Sequence, residues 1–190
     1  MSSKGRLIVF AAPAGGGKTT VIHAVRAVHP EWLFSCSATT RAPRPNEVDG
    51  QDYYFLSREE FLRRVDAGEF LEYEKVHGDF YGTLRSYVDQ ALANNATIVL
   101  DLDVKGAASV KQLYPDAHTI FLQSPSLEVL KQRLEKRGTE SAEVIAKRLA
   151  RAEMELAHAK DFDCVVTNNE IEQVVADVLR CIERNRAAAE

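Results

Sequence analysis

Arg6-Leu-Ile-Val-Phe-Ala-Ala-Pro-Ala-Gly-Gly-Gly-Lys-Thr-Thr20 is an apolar run, a glycine-rich loop, and then Lys18 and Thr19 at the head of a second apolar pattern. That order predicts a strand, a phosphate-cradling loop and a helix N-terminus, each with a part in holding a nucleoside triphosphate. Gly15, Gly16 and Gly17 let backbone N–H groups crowd around phosphate oxygens without Cβ clashes. Lys18 supplies a mobile positive charge, and the Thr19 hydroxyl is placed to ligate magnesium. Ala12 stands where the motif wants its first glycine, which weakens the pattern more than the mechanism. A glycine-rich turn without a ligand is the competing reading. The strand-like run 7–12 before the loop, and Val21, Ile22, Val25 and Val28 after it, favour the phosphate loop.

At 190 residues the chain fits one compact domain with a substantial core. Its 45% hydrophobic and 27% charged residues are those of an ordinary globular protein. Lys and Arg total 24 against 28 Asp and Glu, a net charge of −4, which argues against a broad nucleic-acid-binding face and makes any anion site local. The three cysteines, Cys36, Cys164 and Cys181, form neither an even disulfide set nor a C-x-x-C pair, and are expected to be buried free thiols in a reducing cytosol. No segment has the length of a transmembrane helix or of a signal-peptide core, so a cytoplasmic protein with no membrane partner is expected. Oligomeric state is left open by the helical surface.

Further strand-like runs at 97–102, 118–122 and 164–167 alternate with helical patterns, the signature of a parallel α/β sheet. Phosphate loops lie at the carboxyl ends of such strands. The stretch 37–95 differs in character: it holds most of the tyrosines and two arginines interleaved with prolines, Arg41-Ala-Pro-Arg-Pro45. Within it, Ser57-Arg-Glu-Glu60 is a capping-box signature opening a helix through Val65 that Gly68 ends, and 70–76 alternates like a strand before a turn at Gly78-Asp79. This reads as a small α+β unit inserted in the core. Residues 126–160 form a helical region broken at Arg137-Gly-Thr-Glu140. Arg133 and Arg137, spaced i,i+4, and Arg148 and Arg151, spaced i,i+3, pair on shared faces.

Two arginines three apart on a proline-stiffened loop, Arg41 and Arg44, make a fork suited to a phosphate monoester, although alone they read better as a solvated basic loop, because surface arginine is common. The five histidines show no metal spacing.

Taken together, the phosphate loop, Ser37-x-x-x-Arg41-x-x-Arg44, Gly50-x-Asp-Tyr-Tyr-Phe55, Phe70-x-Glu72, Tyr81-Gly-Thr83, Asp101-Leu-Asp103 and Lys136-Arg-Gly-Thr-Glu140 closely resemble guanylate kinases over nearly the whole chain, from about Arg6 to Ile182. The resemblance implies a three-layer P-loop core (1–36, 96–125 and 161–190), a GMP-binding unit (37–95) and a helical lid (126–160). It implies ATP bound by the loop from Ala12 and Pro13 through Ala14 and the glycines to Thr20, with Arg137 and, near the adenine ring, Asn168. It implies a GMP phosphate held by Arg41, Arg44, Tyr53 and Tyr81. Glu72 then resembles the carboxylate that accepts hydrogen bonds from guanine, with Ser37, Thr83 and Asp103 completing the base contacts. Adenine would present such a carboxylate with an unpaired, repulsive edge. Thr83 stands where many members have serine, and its added methyl narrows the pocket. Magnesium is expected at Thr19, with Asp101 acting through water. Asp101 and Asp103, taken one at a time, read equally as caps of the helix that follows. Arg133, Arg137 and Arg148 match lid arginines that neutralise the transferring group, whereas Arg151, Lys147 and Lys131 are read as surface. Tyr54, Tyr73 and Trp32 are read as packing.

The implied reaction is phosphoryl transfer from MgATP to GMP, with dGMP as a further acceptor. A phosphate oxygen is already a nucleophile near neutral pH, so no general base is expected, and Lys18, Arg41, Arg133, Arg137 and Arg148 carry the catalysis by positioning and charge. Two other readings compete. One is a non-catalytic guanylate-kinase-like phosphopeptide module, towards which only Ala12 leans. The other is a P-loop kinase for a different phosphorylated acceptor, which Glu72 argues against.

Overall fold

The computed structural model describes residues 5–13, 15–76, 78–136 and 141–189. In chain order these form β1 (Arg6–Ala11), α1 (Lys18–Val28), β2 (Leu33–Phe34), β3 (Ala38–Thr39), β4 (Tyr54–Phe55), α2 (Arg58–Asp66), β5 (Phe70–Val76), β6 (Asp79–Leu84), α3 (Arg85–Ala93), β7 (Thr97–Leu102), α4 (Val104–Leu113), β8 (His118–Gln123), α5 (Leu127–Lys136), α6 (Ala142–Ala157), β9 (Cys164–Thr167) and α7 (Ile171–Ala189).

Five strands make a wholly parallel sheet in the order β2-β7-β1-β8-β9. The central strand β1 is buried on both faces, as an uninterrupted Leu-Ile-Val-Phe-Ala run requires. Strand periodicity divides its side chains between two cores. Ile8 and Phe10 point to one face, where Val21, Ile22 and Val25 of α1 meet Val174, Val178 and Ile182 of α7. Leu7, Val9 and Ala11 point to the other, where Val88 and Ala91 of α3 and Ala107 and Val110 of α4 cover the sheet. The result is the expected three-layer α/β core. Trp32 packs into the α1 face at 4% exposure, stacked on His29.

A second sheet, β4-β3-β6-β5, mixes antiparallel pairs with one parallel pair and rests on α2. Its core is aromatic: Phe61 of α2 stacks on Phe70 and Phe80 at 4.4 and 5.4 Å. The ends of α2 follow from the sequence. Ser57 accepts from Glu60 N at 3.1 Å, while Gly68 N and Glu69 N close the last turn on Val65 O and Arg64 O. Glu60 does not complete the reciprocal capping box, because Arg63 and Arg64 both take its carboxylate at 2.7 Å.

Cys164 and Cys181 form a disulfide, with Cα atoms 6.4 Å apart, which corrects the expectation of three free thiols. The parity and spacing of the cysteines do not show that α7 folds back along β9. Cys36 is the buried free cysteine. Tyr54 packs against the aromatic core, and Tyr73, 50% exposed, packs one side of its ring there, with its centre 6.4 Å from that of Phe61 and 6.5 Å from that of Phe70. Among the described residues, no helix is long and apolar enough to cross a membrane.

Candidate active site

The loop after β1 ends at Gly17, whose backbone is left-handed (φ 80°) and whose Cβ, if present, would collide with the Asn168 amide. Only glycine fits there, because conformation and space both exclude a side chain. Helix α1 starts at the next residue, so its unpaired N–H groups and positive dipole end face the loop. The methyl group of Ala12 lies in the apolar cluster on the α1 side.

Lys18 reaches across to the carboxyl end of the neighbouring strand β7. There its ammonium pairs with Asp101 Oδ1 at 2.5 Å and donates to the Leu102 carbonyl. Asn168, 7% exposed at the end of β9, donates from Nδ2 to Gly16 O at 2.6 Å, and its own carbonyl accepts from Arg133 Nη2 at 3.0 Å. Asn168 thus braces the loop. The other Arg133 terminal nitrogen, Nη1, is buried without a partner and lies 4.0 Å from where a Gly17 side chain would stand. A buried guanidinium N–H with no acceptor is costly, and an oxyanion seated on the adjoining loop amides would satisfy it. A cavity of about 380 Å³ opens there, lined by Gly15, Gly17, Thr20 and Arg133 together with Lys136 and Asn169, the last two not anticipated from the sequence.

Thr19 lies exposed in the first turn of α1. The described residues contain no cluster of three His, Cys, Asp or Glu side chains able to hold a metal unaided. One hydroxyl, and one carboxylate already held by lysine, suit a magnesium ion that takes its other ligands from phosphate oxygens and water.

The inserted unit gathers Arg41, Tyr53 and Tyr81. The Arg41 guanidinium lies 5.4 Å from the Tyr53 ring centre and within hydrogen-bonding reach of the Tyr81 hydroxyl, and the two tyrosine rings meet edge to face at 6.0 Å. Burial raises the Tyr53 pKa, which keeps its hydroxyl a donor at neutral pH, and Asp101 of the core adds to that rise. Glu47, not singled out from the sequence, holds the arginine pair: Oε1 accepts from Arg41 Nη2 at 2.9 Å and Oε2 from Arg44 N at 2.8 Å. Its signal was available as the acid three residues after Arg44. The Arg44 side chain is exposed, and Ser37 is half-buried just before β3.

Glu72 of β5 accepts from Thr83 Oγ1 at 2.7 Å. Burial pushes its carboxyl pKa up, with nearby Asp103 adding to the rise, while the Thr83 hydrogen bonds and the Lys18 charge oppose it. The carboxylate lies against the first turn of α4, where a Cβ on Gly106 would stand 3.1 Å from Glu72 Oε2. Glycine at that position leaves the acid its space.

Asp103 takes the capping alternative, its Oδ1 accepting from Gly106 N at 2.7 Å as the N-cap of α4. Its Oδ2 turns to Arg151 Nη2 at 3.3 Å, so Arg151, on the surface as expected, is also ion-paired. Arg148 is half-buried on α6. Arg137 and Ala14, both predicted site residues, lie outside the described residues.

The guanylate kinase family model matches residues 4–185. The chain is 49% identical over 180 residues to the guanylate kinase of Salinibacter ruber, covering 94% of this chain and 95% of that one. It is 45% identical over 184 residues to the guanylate kinase of Symbiobacterium thermophilum, covering 97% and 87%. The crystal structure of guanylate kinase from Anaplasma phagocytophilum superimposes with a TM-score of 0.74 at 29% identity, over 96% of this chain and 86% of that one. With a family model matched over almost its full length and relatives of this identity, the chain belongs to the guanylate kinase family.

Proposed function

We propose that the chain transfers the γ-phosphoryl group of ATP to GMP, and also to dGMP, giving ADP and the corresponding guanine nucleoside diphosphate in purine nucleotide metabolism. The observation that carries this reading is geometric. Glu72 of β5 lies against Gly106 in the first turn of α4, and α4 follows directly on β7, whose Asp101 pairs with Lys18 of the phosphate loop, so the end of one strand joins the donor side to the acceptor side.

Each residue then has a physical role. Loop amides from Ala12 to Thr20 and the Lys18 ammonium hold the donor phosphates, and Arg133, whose Nη1 is buried without a partner, neutralises charge on the transferring group with Arg148 and Arg137. Arg41, Arg44, Tyr53 and Tyr81 grip the acceptor phosphate, and its oxygen attacks the γ-phosphorus as the bond to the ADP oxygen breaks. No side chain has to remove a proton, because the second pKa of the acceptor phosphate is about 6. Glu72 accepts from guanine N1–H and the 2-amino group, its carboxylate oriented by Thr83, with Ser37 and Asp103 beside the base. Thr19 and, through water, Asp101 would hold magnesium, which when bound offsets negative charge on the phosphates. Asn168 holds the loop and borders the adenine side.

We assign 37–95 to acceptor binding, 126–160 to the lid and the remainder to the core. A cytoplasmic setting supplies both nucleotides.

The test is magnesium-dependent ADP production from ATP with GMP, dGMP, AMP, UMP and CMP in turn, alongside Lys18→Ala. Turnover confined to guanine acceptors and lost in the variant is expected. Comparable turnover with AMP would overturn the base assignment. GMP binding without any turnover would make the chain a phosphate-recognition module.

A further inference from the structure

Arg151 stands where three parts of the fold meet. It lies on α6, and its Nε donates to Glu155 Oε1 at 2.8 Å one turn along the same helix. Its Nη2 reaches Asp103 Oδ2 at 3.3 Å, at the cap of α4, and Glu74 Oε1 at 3.8 Å, on β5 of the inserted unit. The anchor is firm, because the Glu155 side chain is only 13% exposed.

Both targets border Glu72. Glu74 is two residues along β5, so it shares a strand face with Glu72. Asp103 is fixed by Gly106 N, and Gly106 is the residue packed against Glu72 Oε2. Three carboxylates, Glu72, Glu74 and Asp103, therefore crowd one corner, and the Arg151 guanidinium is the cation placed on two of them. On the other side, Arg151 lies three residues after Arg148 on the same helical face, so a movement of α6 that follows Arg151 carries Arg148 with it.

We propose that Arg151 is a positioning residue that couples occupation of the guanine corner to the placement of α6, and through it of Arg148, over the donor phosphates. A guanine drawn onto Glu72 moves β5 and the α4 cap relative to each other. Arg151, ion-paired to both, transmits that movement to the lid helix. The bridge is partly exposed, so its contribution as a static ion pair is small and its consequence lies in the coupling.

This inference rests on the guanine-acceptor reading, so GMP-dependent ADP production by the unmodified chain is measured first; its absence defeats that reading and not the role of Arg151 alone. Calorimetry then gives the affinity for GMP with and without a non-hydrolysable ATP analogue, in the unmodified chain and in Arg151→Gln, Arg151→Lys and Glu74→Gln. In the unmodified chain each ligand is expected to strengthen the other. Arg151→Gln should lower that mutual enhancement about fivefold and lower kcat, while the affinity for the ATP analogue alone stays within about twofold. Arg151→Lys should recover part of the loss, and Glu74→Gln, which keeps the fold's hydrogen-bonding capacity, should reproduce it. Enhancement in both Gln variants equal to that of the unmodified chain overturns the proposal. So does an equal loss of ATP-analogue binding without GMP, which would mark Arg151 as merely structural.

Discussion

Glu72 shows how a single residue sets recognition against stability. Its pKa in the fold lies above the unfolded value because burial disfavours the charge, so the folded chain binds the extra proton more readily. Lowering the pH through the folded pKa therefore relieves a cost, while at neutral pH the ionised acid weighs against the fold. Glu72→Gln keeps an oxygen for the Thr83 hydroxyl and removes that cost. A higher melting temperature than that of the unmodified chain is expected, together with lost preference for GMP over AMP and intact ATP binding, checked by thermal unfolding and the acceptor panel. In the unmodified chain, acidification should raise KM for GMP from a pH above the ordinary carboxylate range, which a KM–pH profile tests. The grouping of Arg41, Tyr53 and Tyr81 was legible because residue type and motif position coincide. Glu47 and Arg151 were not, because a charged side chain on a loop or a helix face reads as solvated until the fold supplies its partners.

Among the elements, α2 was readable to within one residue at each end, because Ser57 and Gly68 act on their immediate neighbours. Ser57→Ala should cost about 1 kcal/mol, seen as a shift in the denaturation midpoint with unchanged kinetics. Gly17→Ala should act differently: it forces a left-handed residue to carry a side chain and drives that side chain into Asn168, so loss of ATP binding is expected in a titration. The four longer strands of the parallel core were equally legible, as short unbroken apolar runs between turns. The two-residue strands β2, β3 and β4 were not, because so few residues show no periodicity, and only the pairing of β2 with β7, of β3 with β6 and of β4 with β3 makes them strands.

For the whole molecule, the proposed division into core, acceptor-binding unit and lid predicts closure. Adding an ATP analogue with GMP should reduce the radius of gyration in small-angle scattering, and an unchanged profile would count against closure. The Cys164–Cys181 bond ties α7 to the edge strand whose end carries Asn168. Reducing it, or substituting Cys181→Ala, should lower stability by about 3 kcal/mol, measured by thermal unfolding with and without reductant. The sequence by itself determined the α/β class, the glycine-rich loop between β1 and α1, the longer core strands and the family, because these rest on interactions among near neighbours and on motifs whose order survives without coordinates. Only the tertiary structure decided that the two cysteines pair, that Asn168 braces the phosphate loop, and that Arg151 bridges α6 to β5 and α4. Each of these joins groups far apart in the chain whose meeting depends on how the helices and the second sheet pack, and no local pattern encodes that distance.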